Sequence, residues 1–131
     1  MIHHWFVVFA AVNGLLVTLL AINVSINRIK HKVGNGDGGK LPVKSAIRAH
    51  GNAVEHTTIY AIIILALSFM NTPGSLQAVL VIGFSLSRLA HAVSMLTAKF
   101  NLRRLAAGGT YLFELLGCIS LVMLLVTKMT A

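Results

Sequence analysis

Four apolar runs, near Trp5–Ile26, Ala46–Met70, Leu76–Lys99 and Leu105–Val126, take up most of the 131 residues and leave the chain few ways to fold. At ~1.5 Å of rise per residue, each is long enough for a helix to cross a hydrocarbon layer of ~30 Å. Hydrophobic residues make up 56% of the chain and charged residues only 11%, and mean hydropathy is +0.83. A water-facing domain normally carries about 25% charge. This chain has too little to clothe such a surface, so the bilayer is its solvent.

The connections carry the topology. No Lys or Arg precedes the first run and the basic residues Arg28, Lys30 and Lys32 follow it, which fits a span better than a cleaved leader. Trp5 suits the opposite interface. Asn13 and Asn23 fall inside this span, where polar side chains ordinarily bond to backbone or to a neighbouring helix. Val33–Pro42 is a glycine-rich loop. With no G-K-[ST] ending and no preceding strand, it is not a phosphate-binding loop. Pro42 sets up the second helix. Asn71–Gly74 is an uncharged turn, Ser75 is the expected cap of the third helix, and so short a link makes the second and third spans antiparallel neighbours. Lys99, Arg103 and Arg104 form a second basic connection. Basic first and third connections around a neutral middle one predict cytoplasmic loops and both termini outside. The expected fold is therefore an all-α membrane protein, a four-transmembrane-helix antiparallel bundle forming one domain over 1–131.

A formal net charge of +8 and a pI near 10.4 would point to nucleic acid in a soluble chain. Here the positive charges gather at span ends, and nucleic acid is set aside. The single cysteine, Cys118, excludes an intrachain disulfide. None of the six histidines stands at metal-ligand spacing, and no metal site is expected. No spacing points to a Ser or Cys triad.

The polar residues inside the spans carry the chemistry. On a helix, Arg48, Asn52 and Glu55 stand at i, i+4 and i+7 on one face, flanked by His50 and His56. The third span adds Arg88 and His91, followed by Arg103 and Arg104, and the fourth adds Tyr111 and Glu114. Each has an ordinary role when taken alone: Arg48 can snorkel to headgroups, Glu55 can sit in a structural ion pair, and the Arg103–Arg104 pair can anchor topology. Buried carboxylates need partners, so Glu55 is expected to pair with Arg48 or Arg88, and Glu114 with Arg88, His91 or Arg104. Together, several cations, an amide, histidines and one or two carboxylates at the inner end of a bundle suit a small zwitterionic, peptide-like ligand. An apolar second substrate could reach it from the membrane.

The Arg48-Ala49-His50-x-Asn52-x-x-Glu55 pattern resembles the signature of the MAPEG family, the membrane-associated proteins in eicosanoid and glutathione metabolism. Arg88-Leu89-Ala90-His91, with Arg103-Arg104 downstream, resembles the same family and is nearest in pattern to its microsomal prostaglandin E synthase branch. The match covers roughly Ile47–Tyr111. The resemblance implies a four-helix bundle assembled as a homotrimer, with glutathione held between subunits near the cytoplasmic side. Carried over by position, Arg48, Asn52, Glu55 and His91 become glutathione contacts, with Arg88 among the arginines that meet its carboxylates. Arg104 becomes the arginine that stabilises the thiolate, with Arg103 in that role if the register slips by one, and Arg28 or Lys30 reaches in from an adjacent subunit. The sequence departs from the pattern at Met95, where relatives carry tyrosine, at Leu105 in place of a serine, at Gly51 in place of an arginine, and at His56 and Gly108 in place of tyrosines.

The resemblance thus implies a bacterial-type inner-membrane glutathione transferase or peroxidase acting on lipophilic electrophiles or hydroperoxides. The alternative is a non-catalytic membrane protein that binds glutathione or an anionic lipid. A small four-span exporter would carry a carboxylate in its first span, and Trp5–Ile26 has none.

Overall fold

The computed structural model describes residues 3–130. They form four helices: α1 over His4–His31, α2 over Leu41–Phe69, α3 over Gly74–Leu96 and α4 over Phe100–Thr130. All four are long and apolar enough to cross a membrane. Three of them outrun the apolar runs, most clearly α2, which begins at Leu41 rather than Ala46, and α4, which begins at Phe100 and so lifts Arg103 and Arg104 onto the helix, whereas α3 stops at Leu96, short of the expected Lys99. Hydropathy marks where lipid contact starts. The backbone keeps its i→i−4 bonds beyond that point, where water would serve equally well as a partner.

The helix ends follow local chemistry. α1 closes on Lys32 in the left-handed region (φ 55°), with its N–H bonding the carbonyls of Arg28 and Ile29. α2 opens with Pro42 in its first turn, as expected. The expected Ser75 cap does not form: α3 starts two residues earlier, at Gly74, with Pro73 at the cap position, no capping side-chain bond, and Ser75 exposed. Proline fixes the entry angle instead, and Thr72 secures the turn by donating to the Leu67 carbonyl at 2.7 Å.

Links of a few residues between α2 and α3 and between α3 and α4 make these neighbours antiparallel. α1 packs on α2 and α3, α4 packs on α3 and α2, and α1 does not touch α4 among the described residues. The central pair is α2 and α3. The most apolar stretches of α1 and α4 are only 17% and 11% buried, against 33% and 39% for α2 and α3, so the outer helices present wide apolar faces to lipid or to neighbouring chains.

Aromatic stacking and close backbone approach hold the bundle together. Tyr60 lies flat on Phe84 with ring centroids 3.9 Å apart, and its hydroxyl donates to the Leu80 carbonyl at 3.1 Å. Phe9 brings α1 onto the same pair. Asn13, fully buried, donates to Ser85 at 2.8 Å, so this polar residue of the first span bonds across helices. Between α3 and α4, the Phe113 ring occupies the space over Gly83, and Gly109 lies under Ser87. Nearer the other end of α4, Gly117 admits Ile63 and Tyr60 of α2. At the end where α2 begins, the packing changes to small residues: Ala49, Ala53 and Ala92 join Leu20 in a second cluster. Small residues there draw the backbones together and leave room for polar side chains alongside.

Candidate functional site

Where α2 and α4 begin and α3 ends, the bundle opens into a cavity of about 640 Å³. α2 contributes Lys44, Arg48 and Asn52 at four-residue spacing, together with Leu41 and Ser45. α3 contributes His91 and Met95, one turn apart, and the first two turns of α4 contribute Arg103, Arg104 and Ala107. Among the described residues, four cations face this space and no carboxylate lines it. Such a wall suits an anion, and guanidinium groups match carboxylates two hydrogen bonds at a time.

Beneath the cavity lies Arg88, only 1% exposed. One guanidinium nitrogen donates to Asn52 Oδ1 at 2.8 Å and the other to Thr110 Oγ1 at 3.3 Å, tying α3 to both α2 and α4. The Thr110 hydroxyl donates its own hydrogen bond to the Ala106 carbonyl, so its oxygen is free to accept. Arg88 has no carboxylate within 4.0 Å among the described residues. Its bond to Asn52 fixes which way that amide faces: the oxygen turns inward to the guanidinium and the amide nitrogen is left for the cavity. His91 is 6% exposed, and its Nδ1 has no protein partner. Arg103 donates to the Met95 sulfur at 3.8 Å, and both Arg103 and Arg104 lie over the Phe100 ring, 5.1 and 5.9 Å from its centroid.

Five of the seven residues singled out from the sequence thus come together: Arg48, Asn52, His91, Arg103 and Arg104 line one cavity, and Arg88 supports it from below. Glu55 does not line it. It is exposed on α2 and pairs with neither Arg48 nor Arg88, because Arg88 turns to Asn52 and Thr110 instead. Lys44 and Thr110 escaped the sequence reading. Lys44 was legible as the preceding i−4 member of the Arg48–Asn52 stripe. Thr110 was not, since its role depends on how α3 and α4 are set against each other.

Glu114 also differs from expectation. Its partner is His56, at 2.7 Å, rather than Arg88, His91 or Arg104. The two lie at matching depth, fifteen residues beyond the start of α2 and fourteen beyond the start of α4, near the middle of each helix. Both side chains are about one-fifth exposed, and the Tyr111 ring stands 5.7 Å from the imidazole. Removing one member strands the other in a poor solvent. Glu114→Ala is expected to lower unfolding stability by about 3 kcal/mol, while the apolar double variant His56→Leu/Glu114→Leu loses less than half of that. Equal losses in the two, measured by denaturant titration in micelles, would mean that this pair does not join α2 to α4.

Four helices long and apolar enough to cross a membrane, with a cation-lined cleft at one end, define a small multi-pass membrane protein. The MAPEG family model matches residues 6–125, and the chain belongs to that family. It is similar to the inner membrane protein YecN of Escherichia coli strain K12, at 29% identity over 103 residues covering 79% of each chain. YecN of Escherichia coli O6:H1 matches over the same length at the same identity. No solved structure matches the chain significantly.

Proposed function

We propose that this protein is a multi-pass inner-membrane enzyme that uses glutathione as a transferase or peroxidase cosubstrate, holding the tripeptide in the cation-lined cleft. The observation that carries this reading is the cleft itself: Arg48, Arg103, Arg104 and Lys44 surround an amide whose orientation is set by a buried arginine. Glutathione brings two carboxylates, an ammonium and a thiol. The arginines meet the carboxylates, Asn52 and His91 bond the peptide groups, and Glu55 is available to the ammonium. Family membership supports a homotrimer with the cleft completed by a neighbouring chain, which would cover the apolar faces of α1 and α4 and the exposed Glu55. The basic connections support a cleft on the cytoplasmic side with both termini outside.

In the reaction, a guanidinium beside the thiol favours its ionised form. The sulfur lone pair attacks an electrophilic carbon dissolved in the bilayer, a C–S bond forms, and the leaving group departs with its electron pair. With a hydroperoxide, the thiolate takes the distal oxygen, an alkoxide leaves and is protonated, and a second glutathione thiol then resolves the sulfenic acid to disulfide and water. Arg104 is the arginine assigned to the thiol, with Arg103 as the alternative, because Arg103 is already engaged with Met95. Met95 offers no hydroxyl to the sulfur, which favours a second reading in which the protein binds glutathione or an anionic lipid without turnover.

Arg104→Ala is expected to abolish the ultraviolet absorbance of bound thiolate and to reduce turnover of a generic electrophile by roughly a hundredfold, with the helical fold retained. Survival of the thiolate in both Arg104→Ala and Arg103→Ala would remove the arginine from this role. A wild-type protein that binds glutathione but shows no turnover above background would select the binding reading.

A further inference from the structure

We infer that the seam between α2 and α4, one helical turn beyond the cleft, recognises a hydroxyl group on a lipophilic ligand through Glu114, His56 and Tyr111. On the glutathione reading, on which this inference rests, that ligand is the second substrate.

The two walls of the cleft run on past its floor. On α2 the stripe of Lys44, Arg48 and Asn52 reaches His56 in one more step of four residues, and on α4 Ala107 leads to Tyr111 by the same step. Glu114, three residues past Tyr111, closes the seam through its 2.7 Å contact with His56. Another turn along, both faces are hydrocarbon, with Ile59 and Leu115 more than half exposed. An ionisable pair on the border of such a surface, rather than inside the packed core, is costly to keep there unless something meets it.

The bundle uses only part of the pair. His56 Nδ1 and Glu114 Oε1 are taken by each other. Among the described residues, His56 Nε2, Glu114 Oε2 and the Tyr111 hydroxyl bond to no protein atom. Neither free atom of the pair is sealed from its surroundings, and Tyr111 is 54% exposed with its ring beside the imidazole. The seam therefore offers a carboxylate acceptor and a phenolic donor side by side. A hydroxyl both gives and takes a hydrogen bond, so it can answer the two together. A ketone or an ether brings Glu114 no proton, and a carboxylate meets it as a like charge in a poor solvent.

The position also sets a length. Arg104, the arginine assigned to the thiol, precedes Glu114 by ten residues of α4, about 15 Å along the helix. An extended hydrocarbon covers that distance in roughly a dozen carbon–carbon bonds. The ligand so defined has its electrophilic carbon at the cleft and its hydroxyl about a dozen carbons further along the chain.

Glutathione transfer to a long-chain terminal epoxide, with or without a hydroxyl about a dozen carbons from the ring, tests this in nanodiscs. The thiolate attacks a ring carbon, the C–O bond opens, and the alkoxide takes a proton from water. In the wild type the distant hydroxyl should lower KM by roughly tenfold with little change in kcat, the signature of binding gained equally in ground and transition states. A hydroxyl next to the ring should bring no such gain. In His56→Leu/Glu114→Leu the two epoxides should share one KM, and Tyr111→Phe, which alters only an exposed hydroxyl, should lose part of the preference. Equal KM values in the wild type, or a preference that survives in both variants, overturns the hydroxyl site and leaves the glutathione chemistry standing. Absence of turnover with either epoxide is instead a failure of the glutathione reading. Native mass spectrometry without glutathione then decides the site: retention of the hydroxylated epoxide over the plain one, lost in Tyr111→Phe, supports it, and equal retention overturns it.

Discussion

Arg88→Met should lower glutathione affinity by tenfold to a hundredfold while leaving thermal stability within about 1 kcal/mol of wild type or above it. These two effects usually move together at a buried residue, and their separation is what makes the variant informative. Arg88 is 1% exposed and has no carboxylate within 4.0 Å among the described residues, so folding bears the cost of desolvating its charge without an ion pair in return. Methionine fills similar space without that cost. What disappears is the bond from the guanidinium to Asn52 Oδ1, and with it the orientation of the amide in the cleft. Arg88→Lys provides the complementary check. It restores a charge but not two directed bonds to Asn52 and Thr110, and it should recover little affinity. Calorimetric titration alongside a thermal melt gives both quantities. Parallel collapse of stability and binding in Arg88→Met would make Arg88 a structural tie and nothing more.

Gly83→Val should be the most damaging small substitution in the bundle, at about 3 kcal/mol or more. The Phe113 ring of α4 lies against the α3 backbone at this glycine, and any Cβ there would fall inside van der Waals contact with it. Both groups sit on helices, so relief requires α3 and α4 to separate. Shrinking the ring should restore much of the loss, and Gly83→Val/Phe113→Ala is expected to unfold at higher denaturant than Gly83→Val alone. Gly108 is the control. A Cβ there meets nothing within 4 Å, and Gly108→Ala should be neutral or slightly stabilising through helix propensity. An unaltered unfolding midpoint in Gly83→Val would show that the α3–α4 contact is looser than described.

Much of this architecture was open to reading before any coordinates. Four apolar runs fixed the number of spans, because hydrocarbon admits no backbone without internal bonds. The four-residue spacing of Arg48 and Asn52 placed them on one face, and that face does line the cleft. The features that escaped all depend on register between helices. Glu114 faces His56 because α2 and α4 align residues at equal depth, and nothing in either segment alone encodes that alignment. Glu55 remains exposed: of the two arginines expected to neutralise it, Arg88 is held by Asn52 and Thr110 and Arg48 lines the cleft. Cys118, inside the fourth apolar run, is exposed on α4. Hydropathy cannot tell a lipid-facing side chain from a packed one, since both are apolar.

Calorimetric titration of glutathione into the wild-type protein in nanodiscs, with Arg48→Ala/Asn52→Ala titrated beside it, tests most directly whether the cleft exists to hold this tripeptide. Saturable binding in the wild type that is lost in the double variant is the predicted result. No saturable heat in the wild type, or undiminished binding in the double variant, would contradict it.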